Sequence, residues 1–361
     1  MKNLKIGDLT VSIPIVQGGM GVGISMANLA SAVANEGGVG VISAAGTGMF
    51  QKGRRKDFLE ANLTSLIEEI RKAKENTKGV LGVNIMVAMT GFADTVKAVI
   101  KEGIDIIFAG AGLPLDLPRY LEKNSKTKLI PIISSARAAK IITQKWLKNY
   151  HYLPDGFVIE GPKAGGHLGF KIDQIEEERF QLETILPETI DILKPFEEEN
   201  QKRIPLIVAG GIYDGEDIHK FLSLGADAVQ MATRFVATHE CDASEAFKQV
   251  YLDAKEEDIR LITSPVGLPG RAIHNAYLNA VDLGKKHPFS CPFDCIITCK
   301  KEEAPYCISL ALYNAKLGKM SHGFAFAGTN AHRVSKIVSV KELINELIEG
   351  YKQKAFKHAL S

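Results

Sequence analysis

PLIVAGGIYDGEDIHKFLSLGADAVQMATRF, residues 205–235, carries the fold in one stretch. It opens on an aliphatic run, Pro205 to Ala209, that ends at the glycine pair Gly210-Gly211. Asp214-Gly215 then begins a pattern in which Ile218, Phe221 and Leu222 share one helical face, with Gly225 as the stop. A second aliphatic run starts at Ala228 and ends Gln230-Met231-Ala232-Thr233-Arg234. The order is strand, helix, strand, and both strands are apolar throughout rather than alternating. Continuous apolar strands belong to parallel sheets covered on both faces. Joining two of them requires a right-handed crossover through the helix.

The same unit recurs upstream. Apolar runs lie at PIVQGGM (14–20), VGVISA (39–44), LGVNIM (81–86), IDIIFAG (104–110), KLIPIIS (128–134) and GFVIEG (156–161), and AVQMATRF (228–235) is the last. Helical patterns separate them, at about 25–35 before Gly37-Gly38 and at FADTVKAVIKEG (92–103), where Val96, Val99 and Ile100 share a face. With the run at 205–211 the strands number eight, which predicts an α/β fold of the (β/α)₈ TIM-barrel kind. An open doubly wound sheet is the alternative. The expected division is a barrel core over 1–263, a Cys/Gly/Pro-rich insertion over 264–333 covering the barrel mouth or a partner subunit, and a C-terminal helix over 334–361. Residues 45–80 form an over-long connection, and its basic stretch Lys52-Gly53-Arg54-Arg55-Lys56 reads as a solvated loop.

Composition narrows the function. Hydrophobic residues are 45% and charged residues 24% of the 361, as in a globular chain. Lys and Arg number 44 against 42 Asp and Glu, so there is no electrostatic footprint for nucleic acid. The N-terminus lacks the apolar core of a signal peptide, and no apolar run is long enough to span a membrane. Five cysteines, four of them clustered, are not a secreted disulfide framework, so a cytoplasmic location is expected.

Chemistry in such a barrel sits at the C-terminal ends of the strands. Strand one ends Gly18-Gly19-Met20, where two glycines let a planar ligand approach the main chain. Strand three carries Asn84, either a ligand-facing amide or a satisfied turn residue. Gly210-Gly211 after strand seven and Gln230-Met231-Ala232-Thr233 after strand eight suit a phosphate held by backbone N–H groups and a hydroxyl. After strand six comes EGPKAGGHLG (160–169), a glycine-rich loop that delivers one imidazole, His167, to the mouth. A neutral His is a suitable base near pH 7 for a proton on carbon beside a nitro or carbonyl group.

These motifs, in this order, resemble the nitronate monooxygenase (2-nitropropane dioxygenase-like) family and its relative, the FMN-dependent enoyl-acyl-carrier-protein reductase of type II. The resemblance spans roughly residues 10–275. It implies bound FMN, with Gly18, Gly19, Met20 and Asn84 near the isoalloxazine. Glu160, Gly165, Gly166, Gly210 and Gly211 would line the cofactor, and residues 230–233 would hold its phosphate. His167 falls on the family's active-site histidine. Two positions depart from the pattern. Glu160 stands where many nitronate monooxygenases have Gln, which is more like the enoyl reductase, and Ala232-Thr233 replaces the usual Gly-Thr. The long C-terminal segment lies outside the minimal pattern.

Within that segment Cys291, Cys295, Cys299 and Cys307 follow a C-x₃-C-x₃-C-x₇-C spacing. Four thiols so close could ligate a metal or an iron–sulfur cluster. The spacing matches neither the common zinc nor the ferredoxin pattern, and the first three could instead share one buried helical face. No metal is assigned. The stretch GFAFAGTNAHR (323–333) is read as reaching back over the flavin, with His332 or Arg333 touching substrate.

Three functions are therefore carried forward. The first is an FMN-dependent oxidase of alkyl nitronates using O₂, with His167 as base. The second is an enoyl-thioester reductase in which NAD(P)H is co-substrate. The third is a non-catalytic barrel that binds a phosphate ligand. The expected partners are small molecules, neither nucleic acid nor membrane, and a homodimer is consistent with the appended segment.

Overall fold

The computed structural model describes residues 1–51, 58–291 and 293–360, so the basic stretch 52–56 lies outside the described residues. Eight parallel strands close on themselves: β1 (Ile15–Gln17), β2 (Val39–Ser43), β3 (Val80–Met86), β4 (Ile106–Gly110), β5 (Lys128–Ile133), β6 (Phe157–Glu160), β7 (Leu206–Ala209) and β8 (Ala228–Met231). β8 pairs with β1 as well as with β7, which leaves the sheet no free edge. This is the (β/α)₈ barrel, and the open sheet is excluded.

Each apolar run is buried on both faces. Val16, Val41, Phe108, Ile130, Val158 and Ile207 fill the barrel interior, while their neighbours Ile15, Ile42, Ile107, Leu129, Phe157 and Val208 pack outward under the helices. That two-sided burial is why the runs show no alternation. An N-terminal hairpin, Leu4–Ile6 with Leu9–Val11, inserts Leu4, Ile6 and Val11 into the interior cluster. It closes the end of the barrel opposite the strand C-termini.

The helices are α1 (Ala27–Asn35), α2 (Phe58–Asn76), α3 (Phe92–Lys101), α4 (Ala136–Tyr150), α5 (Leu182–Asn200) and α6 (Gly215–Ser223). Asp214 caps α6, its carboxylate accepting from the N–H groups of Glu216 and Asp217. The β4–β5 connection holds a 3₁₀ turn, Leu117–Tyr120, instead of a helix. Pro114 and Pro118 limit helix growth there, and the buried Trp146 of α4 donates its indole N–H to the Pro114 carbonyl at 2.9 Å. The run 228–235 also ends early as a strand, because Thr233–Val236 turns into the one-turn helix α7.

Residues beyond β8 fold back over the mouth. Strands Ile259–Thr263, Pro269–Ile273 and Ala325–Phe326 form an antiparallel sheet that the two-residue strand Gly166–His167 joins from the β6 loop. The first hairpin of this sheet runs across residue 263. A separate cluster including Tyr277, Tyr306, Ala311 and Phe324 supports it. The C-terminal helix Val340–Leu360 packs on α6, where Gly215 lies close against Gly350.

Candidate active site

Strand register decides which side chains face inward. Val41, Phe108, Val158, Ile207 and Ala228 lie in the interior, and side chains alternate along a strand. Two residues on, Ser43, Glu160, Ala209 and Gln230 therefore face the same way, one layer nearer the mouth. Asn84 pairs with both Ser43 and Phe108, and Ala209 pairs with both Glu160 and Gln230, so the layer is continuous. Gln17 closes the short β1–β2 seam with its side chain: Oε1 accepts from Val41 N at 3.0 Å and Nε2 donates to Val41 O at 3.2 Å.

Above this layer is a cavity of about 690 Å³. The residues read from sequence as catalytic or cofactor-binding line it: Gly18, Gly19, Met20, Asn84, Glu160, Gly165, Gly166, His167, Gly210, Gly211, Gln230, Met231, Ala232 and Thr233. No described residue hydrogen-bonds the side chains of Ser43, Asn84, Glu160 or Gln230, so their polar atoms are open toward the cavity. Unpaired polar atoms that line a cavity are met there by a ligand or water.

Two titratable groups of this wall, Glu160 and His167, are shifted by burial. Glu160 borders the cavity but is otherwise enclosed by protein, which pushes its carboxyl up to about 7. Burial lowers His167 to about 4, so its imidazole is neutral near pH 7. His167 Nε2 lies 2.6 Å from Ser264 Oγ, and the ring meets Phe326 edge-on with centroids 5.1 Å apart.

The loop that carries His167 is held from outside the barrel. The buried guanidinium of Arg271 donates to the carbonyls of Pro162 and Ala164, and Thr329 N donates to Lys163 O at 3.2 Å. A Cβ on Gly165 would fall 2.4 Å from the Ala327 carbonyl carbon. Next to it, Gly210 and Gly211 take φ of +99° and +85°, a backbone that L side chains rarely adopt. Thr233 Oγ1 accepts from Gly328 N at 3.3 Å, which ties the β8 end to the same segment.

Ser43, Lys163, Ser264 and Arg271 carry no role in the sequence reading. Lys163 lies inside the quoted loop, whereas Ser264 and Arg271 have no local signal because their partners are about a hundred residues away. His332 and Arg333 differ from expectation. Arg333 pairs with Asp214 at 2.7 Å and stacks on Tyr213, His332 Nδ1 meets Thr329 O at 3.1 Å, and neither lines the cavity. Ala327 and Gly328 line it instead.

The four clustered cysteines are free thiols, and Cys291 is exposed. They do not share a helix: Asp294 takes a left-handed φ of 39° between them, and helix begins only at Ile308. Among the described residues no group of three or more His, Cys, Asp or Glu could hold a metal ion. Cys295 lies in the cavity wall, 3.0 Å from the Ser309 hydroxyl.

A closed parallel barrel with an open polar layer beneath a cavity defines an enzyme of the barrel oxidoreductase class when set beside known proteins. The family described as nitronate monooxygenase matches residues 2–350, and the chain belongs to that family. Its members are flavin-dependent oxidoreductases in general. The match includes residues 264–333, so the appended segment is part of the family pattern rather than outside it. The chain is 26% identical over 365 residues to a probable nitronate monooxygenase of Bacillus subtilis (strain 168), covering 93% of this chain and 95% of that one. It is 28% identical over 273 residues to (3aS,4S,5R,7aS)-5-hydroxy-7a-methyl-1-oxo-octahydro-1H-indene-4-carboxyl-CoA dehydrogenase of Mycobacterium tuberculosis (strain ATCC 25618 / H37Rv), covering 76% of this chain and 66% of that protein. Among solved structures it resembles FabK from Thermotoga maritima, with a TM-score of 0.75, 26% identity, and 97% and 96% of the two chains covered. Among the described residues no helix is long and apolar enough to cross a membrane.

Proposed function

We propose that the cavity binds FMN and that the enzyme oxidises alkyl nitronates with O₂. The observation that carries the reading is the polar layer of Asn84, Glu160 and Gln230, whose side chains have no partner among the described residues and face a cavity of about 690 Å³. A ring system with donors and acceptors along one edge fits that layer, and the volume lies in the range of cofactor and ligand pockets. Gly18, Gly19 and Met20 would flank the ring, and Gly210, Gly211, Ala232 and Thr233 would receive the phosphate. When bound, FMN supplies two-electron chemistry, and the protein supplies orientation and access.

His167 then orients the nitronate, and takes the α-proton where the neutral nitroalkane enters, because a nitronate has already lost it. Burial keeps it neutral above about pH 4, and its Nε2 shares a hydrogen bond with the Ser264 hydroxyl, which can donate or accept. In the form where Nε2–H donates to Ser264, Nδ1 keeps the lone pair that accepts a proton. The Bacillus subtilis relative supports a nitronate substrate.

A second reading, an NAD(P)H-dependent enoyl-thioester reductase, is favoured by Glu160 and by the apolar wall of Met86, Met89, Leu113, Ile132 and Leu268, which suits an acyl chain. Anaerobic mixing of the purified protein separates the readings. Bleaching of the flavin by a small alkyl nitronate but not by NADH or NADPH supports the first, and fast bleaching by a nicotinamide gives the lead to the second. A colourless protein that takes up no FMN sinks both and leaves a non-catalytic phosphate-binding barrel.

A further inference from the structure

The cavity is short of charge. Among the described Lys and Arg residues only Arg137 and Lys163 line it, and they stand on different strand ends. Lys163 is the one at the glycine-rich end. Its stem runs over Gly211: a Cβ built there would meet Lys163 Cβ at 2.9 Å and Cδ at 3.1 Å. Its backbone sits against Gly328, whose N–H is held by Thr233. Lys163 therefore shares one corner with Gly211, Thr233 and Gly328.

The corner is also built to keep this ammonium available. Lys163 Nζ makes no hydrogen bond or ion pair with any described residue. The nearby carboxylate that could take it, Glu183, is paired with Lys220 instead. Asp217, the other acid lining a small pocket beside Lys163, accepts from the N–H groups of Tyr213 and Asp214. The Lys163 main chain is fixed on both sides, through Arg271 at the Pro162 and Ala164 carbonyls and through Thr329 N at its own carbonyl. A cation on an immobilised backbone with its competitors already matched is preorganised for an anion.

We infer that Lys163 is the charge that recognises a phosphate monoester at this corner, so that the site discriminates FMN from riboflavin through this side chain. The inference rests on the FMN reading above. Backbone N–H groups supply shape there, and Lys163 supplies the countercharge to a dianion.

The test is flavin binding to the deflavinated protein, followed by flavin fluorescence, with FMN and riboflavin titrated separately into wild type, Lys163→Ala and Lys163→Arg at low and high salt. Circular dichroism confirms the fold of each. Expected is an FMN affinity lowered by about ten- to a hundredfold in Lys163→Ala, the scale of a charge-assisted hydrogen bond. Riboflavin affinity should be unchanged, and Lys163→Arg should recover most of the loss. Salt should weaken FMN binding to wild type more than to Lys163→Ala. Equal shifts for both flavins, or no shift for either, overturn the inference while leaving the FMN reading standing. Failure of folded wild type to bind FMN at all overturns both together.

Discussion

Ser264 places its hydroxyl 2.6 Å from Nε2 of His167, joining the segment folded over the mouth to the imidazole that the barrel delivers. The two residues are 97 positions apart, yet strand pairing at Gly270–His167 sets them side by side. Replacing His167 by Ala should leave flavin bound and lower turnover by about 10²-fold or more, the usual scale for a general base. Ser264→Ala should lower turnover less, by about tenfold, since it loosens the ring without removing it. Steady-state rates on the flavin-loaded variants check both, and unchanged turnover in His167→Ala would remove the residue from the chemistry.

Arg271 is expected to matter for stability before activity. Arg271→Ala leaves the buried carbonyls of Pro162 and Ala164 without donors, at about 2–3 kcal/mol in total. Denaturant melts should show that loss, together with faster flavin release, because the His167 loop is no longer clamped. A variant as stable as wild type would mean that water replaces the guanidinium.

Titration gives a further prediction, with opposite signs at two positions. Glu160 is raised to about 7 in the folded chain, from an ordinary carboxylate value, so its contribution to stability falls as pH rises toward 7. His167 is lowered to about 4, so its contribution falls as pH drops below the ordinary imidazole value toward 4. Between roughly pH 4.5 and 6.5 the two oppose each other. The deflavinated wild type should be flat across that window by thermal melting, while Glu160→Gln should gain stability with rising pH and His167→Ala should lose it. Parallel curves for all three would show that neither group is shifted.

Gly19→Ala should fail through space alone. Its Cβ would come within 2.4 Å of Asn84 Cβ, and the cost of such overpacking is about 1–3 kcal/mol. Because Asn84 must move, flavin retention on gel filtration should drop with stability. Full retention would show that β3 yields without disturbing the polar layer.

The barrel was readable because two-sided burial writes itself into eight short aliphatic runs, and the glycines after β1, β6 and β7 mark where those runs end. The cavity-lining set was readable for the same reason, since strand ends converge wherever a barrel closes. Pairing at long range leaves no such trace. Nothing local in GLPGRAIHN reveals that Arg271 reaches the Pro162 carbonyl, or that Gly270 lies beside His167. Spacing misled at the cysteines, where an i, i+4, i+8 pattern suggested a helical face but Asp294 takes a left-handed turn. It was silent at the β4–β5 connection, where a 3₁₀ turn stands in place of a helix and Trp146 of α4 bonds the Pro114 carbonyl.

The hairpin that seats Leu4, Ile6 and Val11 in the barrel's interior has a kinetic consequence. With that end stoppered, the described residues leave the cavity open only on the side of the strand C-termini. On the flavoenzyme reading proposed above, electron donor and electron acceptor would approach the ring from that same side and take turns there. Such traffic produces parallel rather than intersecting lines when both concentrations are varied.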